Sequence, residues 1–433
     1  TAARLREKLE HRYGEPAETI ITDAKYGFIA GALEETYRSR NAGKKHVPAD
    51  RIDRVMTHRI WGLPIFLLLM WITFQTTFSL GGIPAEWMEA GVQWLGDWVT
   101  GLMPEGSLRE LLVGGIISGV GGVIVFLPNI LILFFFISLM EDTGYMARAA
   151  FIMDKLMHKI GLHGKSFIPL LMGFGCNVPA IMATRTLESR KDRVMTMLII
   201  PFMSCSARLP VYVLLISAFF PHNQGLVLFS IYLIGILIAV LSSVLFKKLL
   251  FAKQEAPFVM ELPNYRMPGA RNVAQLLWEK ARDFLQKAFT VIFVATILIW
   301  FLQTFDPHLN VVSNSQQSLL AVISGVIAPL FAPMGLGDWR VCTALLTGFM
   351  AKESVVSTLS VLFGTTQSLR DILTPLSAVS LLVFCLLYTP CVAAISSVRR
   401  ELGGKWACFV VVAQCVIAWI VAYAVYLLLG MVM

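Results

Sequence analysis

"LLMGFGCNVPAIMATRTL", residues 170–187, and "LLTGFMAKESVVSTLSVL", residues 345–362, carry one pattern twice, with Gly173-Phe174 falling on Gly348-Phe349 at an offset of 175. The first copy places two glycines, a proline, a thiol and an amide within "GFGCNVPA" (173–180), in a run that otherwise reads as apolar helix. Backbone groups freed by such a break cannot face lipid, so the break must be buried in protein or line a polar cavity. A second match follows downstream: "FMSCSA" (202–207) resembles "YTPCVA" (388–393), with Cys205 falling on Cys391 at an offset of 186. Counting apolar segments makes 170–184 and 345–362 run in opposite directions if 319–334 is a full crossing. Inverted repeats whose broken helices meet near the midplane are a common transporter design. Something polar is expected to cross a membrane here.

Composition supports the membrane. Of 433 residues 56% are hydrophobic and 15% charged, against about 25% charged in soluble proteins. The apolar runs are long enough for helical spans and do not alternate, which excludes a porin-type barrel. The opening "TAARLREKLEHRYGEPAETI" is polar and holds no signal-peptide core. Because the chain starts at Thr1 and "ARLREKLEH" reads as the tail of a helix, we expect a fragment lacking its N-terminal part.

The net charge of +8 is explained by where it lies. Residues 1–59 hold 12 Lys/Arg against 9 Asp/Glu, and 247–287 hold 8 against 4. The stretches 185–193 and 399–405 are also basic, whereas 81–108, 221–225 and 306–318 contain no Lys or Arg. The positive-inside pattern makes the first group cytoplasmic and the second external. Crossing parity puts 146–165 outside despite Arg148, Lys155, Lys159 and Lys165. All seven cysteines lie in apolar segments without paired spacing and form no disulfide framework.

The expected fold is all-α: a polytopic helical membrane protein with inverted repeats carrying two gate motifs in broken helices. Residues 1–59 read as a cytoplasmic helical segment with a linker at 39–50, and 60–246 as a membrane half holding the first gate. Residues 247–287 read as a cytoplasmic loop with an amphipathic helix at 273–288, and 288–433 as the half holding the second gate. Within these, 60–80 is a first span, 84–99 an amphipathic helix in the outer interface, and 109–127 and 130–145 separate apolar segments. Some short segments are expected to be re-entrant.

A cation leaving water needs replacement ligands, and broken helices offer carbonyls as well as side chains. The clustered candidates are Cys176, Asn177, Met203, Ser204, Cys205, Ser206 and Cys391. Sulfur favours soft or borderline transition metals over Mg²⁺ or Ca²⁺. A membrane cysteine is more often a small packing residue, and Cys342, Cys385, Cys408 and Cys415 are read so. Cys205 and Cys391 stand beside Pro201 and Pro390 and match across the repeat, so they are read as functional. Lys352 and Glu353 are the only charges in 341–363. Intramembrane charges face a cavity or a partner, so Glu353 either takes part in cation or proton passage or pairs with Lys352 or Arg185. Arg208 would oppose a bound cation unless it points away. Glu141, Asp142, His158 and His163 read as interfacial. "GLHGKS" (161–166) ends like a Walker A loop but has Lys159 where the first glycine belongs, so no nucleotide site is expected.

The stretch from "EDTGYMARAAFIMDKLMHKIGLHGKS" through "GFGCNVPAIMATRTLESRKDR", with "PFMSCSARLP", "LLTGFMAKESVVSTL" and "IDRVMTHRIWGLPIF", resembles the bacterial ferrous-iron transporter B family of the Feo system. The resemblance covers essentially the whole chain. It implies Fe²⁺ uptake across the bacterial inner membrane with a cytoplasmic N-terminus. It implies GTP and Mg²⁺ only in an N-terminal GTPase domain that these residues lack, with 1–50 resembling the end of that region. Partners implied are the bilayer, Fe²⁺, that GTPase domain and small Feo-system proteins, with room for a homo-oligomer. Carried over by position, the gates are Gly173, Phe174, Gly175 and Pro179 in one half and Gly348, Phe349, Lys352 and Glu353 in the other. The path thiols are Cys176, Cys205 and Cys391, and Ala351 stands where the first gate has Cys176. The residues alone reach a metal path; iron comes from the resemblance. The main rival is a nucleoside-type transporter, which needs amides, hydroxyls and carboxylates around a base. A lipid-acting membrane enzyme would have only Glu141, Asp142, His158 and His163.

Overall fold

Six helices among the described residues are long and apolar enough to cross a membrane: Gly62–Leu102, Leu111–Asp142, Arg190–Phe219, Gln224–Leu250, Pro375–Leu402 and Gly404–Val432. The structure, a computed structural model, describes residues 53–432 except 59–60, 105, 126, 188, 251–264, 267, 288, 291–292, 309, 313–314 and 364–365, with Lys25 alone before them. The chain divides after Arg54. The expectations for the N-terminal segment, its linker and the loop at 251–264 lie outside the described residues. No strand forms among those described; one isolated antiparallel bridge joins Phe305 and Val311.

Two sequence expectations change at the first pair of helices. The span at 60–80 and the interfacial helix at 84–99 are one 41-residue helix that continues through Pro84. At 1.5 Å per residue it is about 60 Å long, twice the thickness of the hydrocarbon. Segments 109–127 and 130–145 are likewise one run, Leu111–Asp142. Pro128 falls in the first turn of Leu127–Asp142, where a missing N–H costs nothing and proline is tolerated. Glycines let the two long helices approach: a Cβ on Gly121 would meet Val92, and one on Gly96 would lie 3.7 Å from Val113. Lipid supplies no hydrophobic drive between helices, so close packing through small residues substitutes for it.

Neither repeat segment crosses. Phe167–Gly175 stops at Cys176, whose φ −152° and ψ 129° are extended, and Asn177–Ala183 starts from it. His163 before this first hairpin and Asp192 after it lie 3.6 Å apart, Nε2 to Oδ2, so the chain leaves where it entered. Trp339–Met350 stops at Ala351, with φ −139° and ψ 132°. Ser354–Phe363 then runs back: the Thr347 and Thr358 hydroxyls are 2.8 Å apart, and the Arg340 guanidinium lies 4.8 Å from the centre of the Phe363 ring. The aligned positions Cys176 and Ala351 therefore share one backbone conformation. So do Cys205 (φ −76°, ψ 160°) and Cys391 (φ −62°, ψ 158°).

Side-chain contacts sort the connections into two faces. On one, Ser243 donates to the Ile160 carbonyl at 2.9 Å, His163 meets Asp192, and Arg185 Nε donates to Glu401 at 2.8 Å. On the other, Arg370 donates to the Ala218 carbonyl, and the Leu319 N–H donates to the Phe305 carbonyl at 2.8 Å. The first face gathers Lys155, Lys159, Lys165, the basic run at 190–193, Arg399 and Arg400, so 146–165 belongs with the basic loops and the parity expectation is corrected. That expectation counted Leu111–Asp142 twice and the first hairpin as a crossing. The inversion nevertheless holds. The first hairpin and the broken helix Arg190–Phe219 start from the basic face, and the second hairpin and Pro375–Leu402 start from the opposite one. Segment 319–334 is no full crossing; it meets Trp339–Met350 at a bend of 106°.

Candidate functional site

Each crossing that follows a hairpin is interrupted at its middle. Arg190–Ile199 passes through a short tight turn, Ile200–Phe202, and leaves Met203–Cys205 non-helical before Ser206–Arg208 and Leu209–Phe219 resume. Pro375–Leu387 ends before Tyr388-Thr389-Pro390-Cys391, and Val392–Leu402 continues. Proline pushes the residue before it out of helical geometry, which accounts for Thr389.

The carbonyls so released are largely taken up by the protein. Arg208, 1% exposed, donates from Nη1 to Pro201 at 3.0 Å and Met203 at 3.2 Å, and from Nη2 across to Tyr388 at 3.3 Å. It points away from the cavity described next, which resolves the objection its charge raised. Lys352 donates to the Thr389 carbonyl and lies 3.2 Å from the centre of the Tyr388 ring. Ser206 Oγ donates to the Gly175 carbonyl at 2.9 Å. Lys352 therefore does not pair with Glu353, and Arg185 pairs with Glu401 instead of reaching either.

A cavity of about 670 Å³ lies where the two hairpin tips and the two breaks converge. Cys176, Asn177 and Gly175 come from the first tip, Ala351, Lys352 and Glu353 from the second, and Cys205, Ser206 and Cys391 from the breaks. Three thiols from three separate segments thus face one space. Asn177 is 4% exposed, and its Oδ1 has no hydrogen-bond partner among the described residues. Sulfur, this amide oxygen, the likewise unpartnered Oδ1 of Asn129 and the half-buried Glu353 carboxylate are donors available to a metal. Lys352 lines the same wall, and its positive charge would keep the affinity for a cation low enough for release.

A second cavity of about 610 Å³ is bounded by Met350, Ala351 and Glu353 from its other side and lined by hydroxyls of Thr343, Thr347, Ser357 and Thr358. The tip of the second hairpin is the partition between the two. Sequence reasoning missed this hydroxyl set; its signal was the spacing of Thr343 and Thr347 on one arm and Ser357 and Thr358 on the other arm of one hairpin. Toward the basic face a crevice of about 20 Å³ runs from Cys176 past Lys280, Asp283 and Phe284 on the amphipathic helix Ala270–Lys287.

Not every candidate reaches the cavity. Met203 is buried against Gly173, where a Cβ would come within 3.1 Å of it, and Ser204 shares a hydrogen bond of 3.0 Å with the Tyr212 hydroxyl. Phe174 stacks on Tyr232 with centroids 6.3 Å apart. Pro179 is buried in the returning arm and borders the crevice. Phe349 is half-buried and borders neither cavity. Cys342 and Cys385 are buried elsewhere, and Cys408 is exposed on the final helix. Cys415 is half-buried on the final helix and borders neither cavity. The Walker-like "GLHGKS" is a buried corner: Gly164 packs so closely that a Cβ would strike the Ala150 carbonyl, and Ser166 is 0% exposed.

Gly348 is fixed by the same close approach, because a Cβ there would collide with Val355 and the Tyr388 hydroxyl. Gly348→Ala is expected to spread the second hairpin and cost about 1–3 kcal/mol of overpacking strain. Gly325→Ala has open space and should be neutral. Thermal unfolding midpoints in detergent distinguish the two, and equal midpoints would refute the tight hairpin.

Comparisons with known proteins agree with this layout. A family profile described as "Nucleoside recognition" matches residues 123–219 and 285–405, the two halves that hold the hairpins and breaks. Profiles for the ferrous iron transport protein B C terminus and the FeoB cytosolic helical domain match 228–280 and 1–38. The chain is 49% identical over 98% of its length to an Fe(2+) transport protein A/Fe(2+) transporter FeoB fusion protein of Porphyromonas gingivalis, and covers 56% of it. It is 42% identical to the Fe(2+) transporter FeoB of Campylobacter jejuni, with 96% of this chain and 68% of that one aligned. The Fe(2+) transporter FeoB of Staphylococcus aureus (strain MSSA476) is also 42% identical, with 92% and 62% aligned. The chain thus spans between about half and two thirds of the length of these relatives. No solved structure matches it.

Proposed function

Because the chain belongs to the Fe(2+) transporter FeoB family, we propose that it carries Fe²⁺ across the membrane through the thiol-lined cavity. The observation that supports this best is the convergence of Cys176, Cys205 and Cys391 on one space between inverted halves. Fe²⁺ would arrive hydrated in the hydroxyl-lined cavity, pass Glu353 at the tip of the second hairpin, and exchange waters for sulfur. It would leave along the crevice beside Phe284. A nucleoside would need amides, hydroxyls and carboxylates arrayed around a base, whereas here three thiols stand together with the amides of Asn129 and Asn177 and the single carboxylate of Glu353.

By the same reading the membrane is the bacterial inner membrane, the basic face is cytoplasmic, and metal moves toward it. GTP acts through a GTPase region rather than through Gly164–Ser166, and small Feo-system proteins are partners. Uptake into proteoliposomes of Fe²⁺, Mn²⁺, Zn²⁺ and a nucleoside, measured side by side, tests the substrate. Fe²⁺ is expected to enter and the nucleoside not; the reverse would overturn the proposal. For sidedness, Lys159→Cys and Asn310→Cys are exposed in turn to an impermeant maleimide on intact cells. Only Asn310→Cys should react, and labelling at 159 would invert the orientation.

A further inference from the structure

Asp154 and His158 stand one turn apart on Tyr145–Ile160, so they share a helix face, with Oδ1 and Nδ1 3.6 Å apart. Gly161 then takes a left-handed φ of 85° and ends the helix. This turns the chain so that the Gly164 N–H donates to Asp154 Oδ1 at 2.8 Å and His163 comes back beside His158, ring centroids 5.0 Å apart. One potential ligand atom from each of Asp154, His158 and His163 lies within 4.8 Å of the others.

We propose that Asp154, His158 and His163 form a binding site for a borderline divalent metal ion at the foot of the first hairpin. Imidazole and carboxylate suit Fe²⁺, Co²⁺ or Zn²⁺ better than soft Cu(I). Ligands about 2.1 Å from a tetrahedral metal stand about 3.4 Å from one another. The Asp154–His158 separation nearly meets that value, and the third ligand needs a shift of about 1.4 Å or less, within the reach of a side-chain rotation. His163 has the outer support such a ligand normally carries, for its Nε2 faces the Asp192 carboxylate at 3.6 Å. As a bare helix pair, Asp154–His158 would contribute at most about 0.5 kcal/mol. That would not account for a third donor being folded back onto it and pinned by the Gly164 bond. His158 and Asp154 are 52% and 38% exposed, so metal can reach them from the basic face.

The location gives the site a consequence, which rests on the transport reading. Helix Phe167–Gly175 is nine residues long, about 14 Å, and joins this foot to Cys176 at the tip. A bound ion would tie Tyr145–Ile160 to the foot and, through Asp192, to the start of the broken crossing. Metal accumulated on the basic face would thus hold the first hairpin still and slow further passage.

The test uses the full 433-residue chain in detergent with Cys176, Cys205 and Cys391 all changed to serine, so that thiol binding is silent. Co²⁺ titrated into it should show one visible-absorbing site, and adding His158→Ala should weaken binding at least ten-fold. His158 is half-exposed, so its removal should leave the unfolding midpoint unchanged. Binding equal with and without His158, or no Co²⁺ binding at all, overturns the site. In vesicles of the chain with its thiols intact, Fe²⁺ loaded on the basic-face side should slow uptake by the parent chain but not by His158→Ala; equal slowing overturns the clamp. If the parent chain transports nothing, the transport reading fails while the Co²⁺ result still decides the site.

Discussion

Cys205→Ser and Cys391→Ser are each expected to cut Fe²⁺ uptake by at least about ten-fold while leaving folded protein at the parent level. Both residues sit where a crossing is broken and face the cavity between the hairpin tips. A divalent ion entering a low-dielectric space must exchange its waters for ligands stepwise, and those ligands must later let it go. Sulfur as thiolate binds a borderline metal far better than a hydroxyl does. Serine keeps the size and a weak oxygen donor, so the change removes affinity rather than shape. A ten-fold loss corresponds to about 1.4 kcal/mol, modest for one lost metal ligand. Cys408→Ser, exposed on the final helix, is the neutral control. Cys415→Ser, on the same helix and bordering neither cavity, should be near neutral as well. Proteoliposome uptake with protein quantified by tryptophan fluorescence reads all four. Normal transport by Cys205→Ser together with abolished uptake in Glu353→Gln would mean that oxygen lines the path and the thiols only pack.

Much of this site was legible because its residues are costly in a membrane. Glycine, proline, cysteine and lysine inside apolar runs are exceptions that need reasons, and the matched spacing of 170–187 and 345–362 pointed to two related breaks. Whether such a segment crosses or returns was not legible. Hydropathy is the same in both cases, and the decision is made by pairings between the two arms, such as His163 with Asp192 and Thr347 with Thr358, which local periodicity does not reveal. Nor could spacing tell which side of a non-helical stretch faces the cavity. Cys205 and Ser206 face it while Met203 and Ser204 turn into the packing, although all four were candidates and only Cys205 was singled out among them. The sequence also showed two intramembrane cations without showing their targets. Arg208 and Lys352 serve backbone carbonyls rather than carboxylates, so several of the carbonyls expected to be offered beside the side chains are already taken.

Arg208→Leu should therefore be the most destabilising single change in the membrane region. The guanidinium is 1% exposed and makes three hydrogen bonds, two within its own break and one to Tyr388 in the other half. Hydrogen bonds to a charged group are worth roughly 1.5–3 kcal/mol each, and a buried acceptor left without a partner costs about 1–3 kcal/mol. Leucine fills much of the volume and removes a buried charge, which offsets part of the loss. Three orphaned carbonyls in a water-poor interior still leave a net cost of several kcal/mol, a large fraction of ordinary stability. Arg208→Lys keeps the charge but cannot span all three carbonyls from one ammonium, so it should fall between the parent and leucine. Lys352→Met loses the Thr389 carbonyl bond and the contact with Tyr388, and should be milder. The measurement is the thermal midpoint of monodisperse protein by size-exclusion fluorescence, with the order parent, Lys352→Met, Arg208→Lys, Arg208→Leu from most to least stable. The tie to Tyr388 makes a further demand: since it joins the two inverted halves, Arg208→Leu should also increase amide exchange around 388–391, on the far side of the repeat. A midpoint unchanged in Arg208→Leu, or faster exchange confined to 201–205, would show that the arginine closes its own break alone and does not hold the halves together.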